Sequence, residues 1–162
     1  MLNPGDLAPD FTAVDDAGRP VRLSQFRGRP VVLYFYPKDH TPGCTTEACH
    51  FRDRHAELEA LGAVVLGVSP DPPQTHQHFR QRHHLPFRLI ADPDRRVAAT
   101  YGVRRDLPVI GRFVPLVDRV TFVIGPDGRV LGVIRGIPPG RHAEKALELL
   151  RGELEASPQG GS

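Results

Sequence analysis

The sequence of 162 residues predicts an α/β fold with a central mixed β-sheet flanked by helices. Two apolar runs rich in β-branched and aromatic residues, at positions 30–36 and 63–68, are typical of buried strands. Between them, residues 44–61 carry apolar side chains at intervals of three and four residues, which indicates an amphipathic helix. A strand, a helix and a second strand in this order predict two parallel, adjacent strands.

The N-terminal region predicts a β-hairpin followed by a helical turn. Two short segments, 12–14 and 21–23, flank residues 15–20, whose Asp, Gly and Pro content is typical of a turn. Ser24 is expected to cap a short helical turn that ends at Gly28.

The middle of the chain predicts a helix, a strand and a second helix. The first helix is expected to begin at Asp71 as its cap, with the two following prolines in its first turn, and to end near residue 84. A short strand at 88–91 and a short helix at 94–101, which Gly102 ends, come next.

The C-terminal part predicts a second hairpin and a final helix. Strands at 119–124 and 129–134 are joined by the sequence Gly-Pro-Asp-Gly, which is a hairpin signal. A helix from about residue 141 to residue 154 follows. A β-α-β half, a terminal hairpin and helices on both faces of the sheet make up the thioredoxin-like arrangement.

The length is that of one domain, which we place at residues 1–156. Residues 157–162 contain only Ser, Pro, Gln and Gly, so we expect them to form a flexible tail.

Composition excludes several classes of function. The net charge is only +2 and the arginines are scattered, so no nucleic-acid face is predicted. No apolar run approaches the ~20 residues that span a bilayer, and the N-terminus lacks the features of a secretory signal. Two cysteines are too few for a secreted disulfide framework, so a cytoplasmic location is predicted.

The two cysteines lie directly after the first buried strand. Cys44 falls in the first turn of the predicted helix, where free backbone N–H groups and the helix dipole favour a negative charge. Such a position favours the thiolate, which is the nucleophilic form of cysteine. We therefore expect Cys44 to be reactive.

Cys49 lies five residues after Cys44 in the same predicted helix. The Cα atoms of residues five apart in a helix are separated by roughly 8.6 Å. A disulfide usually needs Cα atoms within ~7 Å. The pair cannot bond while the helix is intact but can bond if its first turns unwind, which suits a switch better than a structural cross-link.

The active-site segment resembles that of the peroxiredoxins, specifically the peroxiredoxin Q (bacterioferritin comigratory protein) group. The resemblance rests on residues 37–53, Pro-Lys-Asp-His-Thr-Pro-Gly-Cys-Thr-Thr-Glu-Ala-Cys-His-Phe-Arg-Asp. Weaker matches follow in the expected order at 69–71, 85–87, 101–103 and 119–128. The resemblance covers roughly residues 4–150 and implies the same thioredoxin-like fold.

The resemblance implies a thiol peroxidase that reduces hydrogen peroxide and organic hydroperoxides in antioxidant defence. Cys44 would become a sulfenic acid, and Cys49 would resolve it as an intramolecular disulfide. Without the resemblance, Cys49 is a small buried apolar residue.

Four further residues receive catalytic roles from the resemblance. Thr41 would direct its hydroxyl at the sulfur or the peroxide; the alternative role is helix capping, and one side chain can serve both. Pro37 would stiffen the loop and exclude water, besides ending the strand. Arg119 would stabilise the developing anion and Glu47 would orient it. Without the resemblance, Arg119 would be an exposed arginine at the end of a strand. Glu47 would be an ordinary acid in the first turn of a helix.

No flavin or nicotinamide motif is present, so no cofactor is predicted and electrons must come from a partner. The resemblance implies thioredoxin or a similar dithiol reductant. A metal site is not predicted either, because no two of the histidines in the predicted third helix are three or four residues apart. These histidines are His76, His78, His83 and His84.

Residues 104–118 depart from the family pattern in being notably apolar, and we predict a loop there. Its side chains would be buried under the loop or would form an exposed patch for self-association or partner docking. We expect a monomer or a weak homodimer.

Two other functions are possible from sequence. A thioredoxin-like disulfide reductase usually carries Cys-x-x-Cys, whereas four residues separate the cysteines here. A copper-carrying assembly factor of the same fold uses a different cysteine spacing and usually a membrane anchor.

Overall fold

The computed structural model describes residues 2–156, and the predicted tail at 157–162 lies outside the described residues. The nine strands of the described part are β1 (Thr12–Asp15), β2 (Pro20–Arg22), β3 (Val31–Phe35), β4 (Val64–Ser69), β5 (Arg88–Ala91), β6 (Arg104–Val109), β7 (Arg112–Val117), β8 (Val120–Ile124) and β9 (Val130–Ile134). Its five α-helices are α1 (Pro42–Asp53), α2 (His55–Ala60), α3 (Pro73–His83), α4 (Arg96–Thr100) and α5 (His142–Ala156). Short 3-10 turns occur at Leu23–Phe26 and Pro139–Arg141.

Seven of these strands form one mixed sheet in the order β2-β1-β5-β4-β3-β8-β9. Strands β3, β4 and β5 run parallel, whereas β8 pairs antiparallel with β3 and with β9. The predicted β-α-β unit and both predicted hairpins are therefore confirmed. This sheet with its flanking helices is the predicted thioredoxin-like α/β fold.

The central strand β3 is buried on both faces, which explains its uninterrupted apolar sequence. Because side chains alternate along a strand, Leu33 and Phe35 join one core cluster, while Val32 and Tyr34 join the other. The second cluster also contains Cys44 on α1, so the start of this helix is packed into the core beside the sheet.

The helix predicted over 44–61 is two helices with a break at Arg54, whose φ and ψ are −99° and 2°. Phe51 and Leu58, on either side of the break, are both fully buried in the same core cluster. Both helices therefore pack into the same core beside the sheet.

Two predicted caps are wrong. The 3-10 turn begins after Arg22, and Ser24 lies inside it, donating its backbone N–H to Asp10. Helix α3 begins after Pro72 rather than Asp71. The Asp71 carboxylate instead accepts hydrogen bonds from the Ser69 hydroxyl at 2.6 Å and from the backbone N–H of Asp39 at 2.7 Å.

The loop predicted over 104–118 is a β-hairpin, in which β6 and β7 pair along six residues each. Ile110 and Gly111 connect the strands with φ values of 45° and 73°. Two positive φ values are typical of a tight hairpin turn, but isoleucine is rarely found there, so the usual turn signal is missing. Of the two predicted alternatives, the exposed patch is correct, because Ile110 is 97% and Phe113 74% exposed.

No helix within residues 2–156 is both long and apolar enough to cross a lipid bilayer.

Candidate active site

Cys44 lies at the third position of α1, in the first turn as predicted. The helix follows β3 after the short loop 36–41, so the cysteine sits at the carboxyl end of the central strand. Its side chain is only 1% exposed and its thiol is free. The first turn of a helix has unpaired N–H groups and the positive end of the helix dipole, so this position favours a negative charge.

Arg119 reaches the sulfur of Cys44 from the other side. Its Nη2 donates to Sγ over 3.4 Å. The residue directly precedes β8, and because Val120 pairs with Phe35, the guanidinium enters the site across the end of β3. A Cβ atom at Gly43 would lie 3.0 Å from Nη2, so glycine at this position leaves room for the arginine.

Glu47 holds the other arm of the guanidinium. Its Oε1 accepts a hydrogen bond from Nη1 of Arg119 over 2.8 Å, and its side chain is fully buried. Burial raises the pKa of Glu47 to about 8, against the opposing effect of Arg119. For Arg119, burial by itself would lower the pKa. The charges of Glu47 and Cys44, and the hydrogen bonds to them, raise it more, so the pKa of Arg119 lies above its ordinary value.

His142 extends this arrangement behind Glu47. Its Nδ1 lies 3.3 Å from Oε2 of Glu47 and 2.8 Å from the Thr121 hydroxyl oxygen. Burial, helped by the charge of Arg119, lowers the pKa of His142 to about 4, so the ring is neutral at neutral pH. Apart from this approach of His142, Oε2 of Glu47 is buried without a hydrogen-bond partner among the described residues.

Thr41 immediately precedes α1, but its side chain makes no capping hydrogen bond. Its hydroxyl donates to the Lys38 carbonyl over 2.8 Å. The lone pairs of the hydroxyl oxygen can therefore accept a hydrogen bond from a peroxide. Pro37, at the other end of the loop, is exposed directly after Tyr36.

The buried carboxylate of Asp39 anchors the loop between Pro37 and Thr41. Its carboxylate accepts from the Tyr36 hydroxyl over 2.6 Å and lies 2.6 Å from Nδ1 of His76. Nε2 of His76 lies 3.0 Å from the Ile90 carbonyl, so this nitrogen carries a proton. Asp39, Asp71 and His76 have ligand atoms within 4.8 Å of one another, which is close enough to hold a metal ion. Each of these groups already has a protein partner, which suits a network that anchors the loop.

Cys49 is half-buried, with a free thiol. Five residues along a helix correspond to about 140° of rotation, so it projects away from the side that faces Arg119. Its Sγ lies 3.9 Å from Nδ1 of His83, at the end of α3.

The structure thus brings Cys44, Arg119, Glu47 and Thr41 to one end of the sheet and keeps Cys49 on another side of the same helix. Sequence reasoning missed Asp39, His76, His83 and His142 as members or supports of this site. For His76 and His83, the sequence did contain a signal, because four histidines fall within one predicted helix. Their spacing along the helix, however, does not show that each contacts a different partner.

A thioredoxin-like fold with a buried cysteine at a helix start, held by an arginine, defines a thiol peroxidase. Residues 4–133 match the AhpC/TSA family, and the chain belongs to that family. Within the family, it is a peroxiredoxin of the Bcp or peroxiredoxin Q group, as the sequence resemblance implied.

Similarity to known proteins extends over nearly the whole chain. Peroxiredoxin Bcp of Bacillus subtilis is 42% identical over 147 residues, which cover 91% of this chain and 94% of the relative. The chloroplastic peroxiredoxin Q of Sedum lineare is 42% identical over 148 residues, covering 91% and 77%.

Solved structures show the same similarity. BcpB from Mycobacterium tuberculosis superposes with a TM-score of 0.86 at 41% identity, covering 94% of this chain and 98% of that one. The bacterioferritin comigratory protein of Xanthomonas campestris, described for its alkyl peroxide reduction activity, superposes with a TM-score of 0.85 at 30% identity, covering 94% and 97%. These matches favour the peroxidase over the disulfide reductase and the copper carrier.

Proposed function

We propose that this enzyme reduces hydrogen peroxide and organic hydroperoxides through Cys44 and is recycled by thioredoxin or a similar dithiol. The observation that carries the proposal is the 3.4 Å contact between Arg119 and a cysteine sulfur at a helix start. Charged donors that point at a reacting atom stabilise charge that develops there.

In the first step, the Cys44 thiolate attacks one peroxide oxygen and the O–O bond breaks. The sulfur becomes a sulfenic acid, and the departing alkoxide or hydroxide takes up a proton. Arg119 stabilises this departing anion, Glu47 holds the guanidinium in place, and the Thr41 oxygen accepts a hydrogen bond from the peroxide. Pro37 limits the freedom of the loop.

In the second step, the Cys49 thiol attacks the sulfenic sulfur, which gives a Cys44–Cys49 disulfide and one water molecule. An external dithiol then reduces the disulfide. Dithiol reductants are kept reduced in a reducing compartment, so we place the enzyme in the cytoplasm. We further propose a monomer or weak homodimer, with the exposed tip of the β6–β7 hairpin as the contact of the dimer.

The test is peroxide consumption with thioredoxin, thioredoxin reductase and NADPH, comparing the wild type with Cys44→Ser and Cys49→Ser. We expect Cys44→Ser to abolish turnover. Cys49→Ser should still form the sulfenic acid, detected by dimedone and mass spectrometry, but should not turn over with thioredoxin. Substantial turnover by Cys44→Ser would refute the proposal.

A further inference from the structure

We infer that His83 is the general base of the resolution step, taking the proton from Cys49 as this thiol attacks the Cys44 sulfenic acid. The inference rests on the proposed function, because it assigns a base to the second step of that reaction. It starts from the 3.9 Å separation between Nδ1 of His83 and Sγ of Cys49.

Two contacts fix the position of His83. Its carbonyl accepts a hydrogen bond from Nη1 of Arg52 over 2.8 Å, which ties the end of α3 to the helix that carries Cys49. Its ring packs edge-to-face on Phe79, with centroids 5.0 Å apart. Phe79 is fully buried and contacts the His40 ring in the same way at 5.1 Å. These contacts hold the His83 ring in one position, with Nδ1 next to Sγ of Cys49.

The charges around His83 favour the neutral ring. Burial lowers the pKa of His83, and four neighbouring basic side chains act in the same direction. These neighbours come from α1, from the active-site loop and from the end of α3 itself: Arg82, His40, Arg52 and His84. A neutral imidazole with its proton on Nε2 presents Nδ1 to the thiol as an acceptor.

A second basic group, Arg52, interacts with the same sulfur. The pKa of Arg52 is raised, first by its hydrogen bond to Asp53 and in part by the sulfur of Cys49. Arg52 and the protonated His83 would thus both lie close to the sulfur as it becomes an anion. Two cationic groups beside the sulfur stabilise the negative charge that develops there as the proton leaves.

The chemistry of resolution needs such a base. An ordinary thiol has a pKa of about 8.5, so only a few per cent is ionised at neutral pH. His83 takes the proton of Cys49, the sulfur attacks Cys44, and the S–O bond of the sulfenic acid breaks. The departing hydroxide takes up a proton and leaves as water, so no further oxidant or reductant is required.

The location of His83 also leaves the path of Cys44 open. The ring contacts Cys49 from α3, whereas Cys44 faces Arg119 on another side of α1. If the first turns of α1 unwind, Cys44 can approach Cys49 without displacing His83.

The test follows the two steps separately in one turnover. Each enzyme is mixed with one equivalent of hydrogen peroxide between pH 5.5 and 9.5 and quenched with acid after set times. Mass spectrometry then measures the Cys44 sulfenic acid and the Cys44–Cys49 disulfide. The variants are His83→Phe, which keeps a ring on Phe79, and His83→Gln, which keeps a polar side chain but cannot take up a proton. His78→Phe, at an exposed position of the same helix, is the control.

We expect wild-type rates of sulfenic acid formation in all variants. At pH 7, disulfide formation should slow at least ~10-fold in both His83 variants and not in the control, as for the loss of a general base. The rate of the His83 variants should rise with pH until an ordinary thiol ionises, near 8.5, and should approach the wild-type rate above that pH.

A slowing that is equal at all pH values would indicate a merely structural role and overturn the inference, as would an unchanged rate in either variant. If the wild type forms no Cys44 sulfenic acid, the proposed function itself fails. If it forms one and His83→Phe resolves it at the normal rate at neutral pH, only the assignment of His83 fails.

Discussion

Nη2 of Arg119 lies 3.4 Å from Sγ of Cys44, although the two residues are 75 positions apart in the sequence. The antiparallel pairing of β3 with β8 creates this contact, because it sets the residue before Val120 next to the end of the strand that leads into α1. The site therefore depends on the register of two central strands, which the core fixes by packing both faces.

Replacing Arg119 with Met should lower the second-order rate with peroxide at least ~10-fold. The developing charge on the departing oxygen would lose its fixed cation, and a lost donor of this kind typically costs that much or more. Stopped-flow mixing with hydrogen peroxide, in the absence of reductant, measures this step alone.

Arg112→Met, on the exposed hairpin, is the matched control and should react like the wild type. Thermal unfolding should show that both variants are folded. A normal rate in folded Arg119→Met would mean that another arginine supplies the charge.

Glu47 should make the protein less stable as pH rises toward 8. Burial raises its pKa from 4.5 to about 8, so between these values the folded state holds a proton that the unfolded state has released. The free energy of unfolding should then fall with pH, by up to ~1.4 kcal/mol per pH unit. His142 acts oppositely between about 4 and 6.5, where the unfolded state binds the additional proton. The net loss should therefore appear between pH 6.5 and 8.

Urea unfolding of Glu47→Gln at several pH values tests this dependence. Both proteins should carry Cys44→Ser, so that no thiol titrates beside Glu47. Because His142 is present in both proteins, the difference in the free energy of unfolding between parent and variant should change from about pH 4.5 to about pH 8 and level off above it. Glu59→Gln, at an exposed position of α2, should show no such change. A difference that stays constant from pH 5 to 9 would disprove the raised pKa.

The sequence predicted the sheet well because its central strands are buried on both faces and therefore consist of uninterrupted apolar residues. The position of Cys44 was also predictable, since strand, proline and helix signals converge on it. Arg119 was one of many arginines, and only the family resemblance selected it. Its contact with Cys44 is decided by the pairing of β3 with β8, which a single sequence does not show.

The β6–β7 hairpin and the roles of His76 and His83 could not be predicted from local sequence patterns. The β6–β7 hairpin turns at Ile110-Gly111 rather than at a typical Asn-Gly, so it was predicted as a loop. His76 and His83 lie seven residues apart on α3, and each contacts a different part of the active-site segment. Their roles depend on how α3 packs against α1 and the loop, which is a tertiary property.

The His76–Asp39 contact should anchor the active-site loop. Replacing His76 with Leu leaves a buried carboxyl group and the Ile90 carbonyl without their partner, which should destabilise the protein by about 3 kcal/mol. Urea unfolding of His76→Leu, Asp39→Asn and the double variant measures the coupling between the two residues. The double variant should lose clearly less than the sum of the single losses. Additive losses would show that the two side chains act independently.

Oxidation should unwind the start of α1. Cys44 and Cys49 lie within one continuous helix, Pro42–Asp53, and both thiols are free. Five helical residues place their Cα atoms roughly 8.6 Å apart and on different sides of the helix, beyond the ~7 Å that a disulfide allows. A bond between them therefore requires the first turns to open.

Amide hydrogen exchange followed by mass spectrometry should accordingly be faster over residues 42–52 in the oxidised protein than in the reduced one. Helix α3 should exchange at similar rates in both states and serves as the internal control. Opening α1 would also expose a bond that the folded pocket hides, and would thus give the proposed dithiol reductant access to it. Cys49→Ser treated with peroxide should keep the slow exchange of the reduced helix, because the unwinding follows from the disulfide and not from the sulfenic acid. Equally slow exchange in the oxidised and reduced wild type, or peptide mapping that finds mainly intermolecular disulfides, would refute this mechanism.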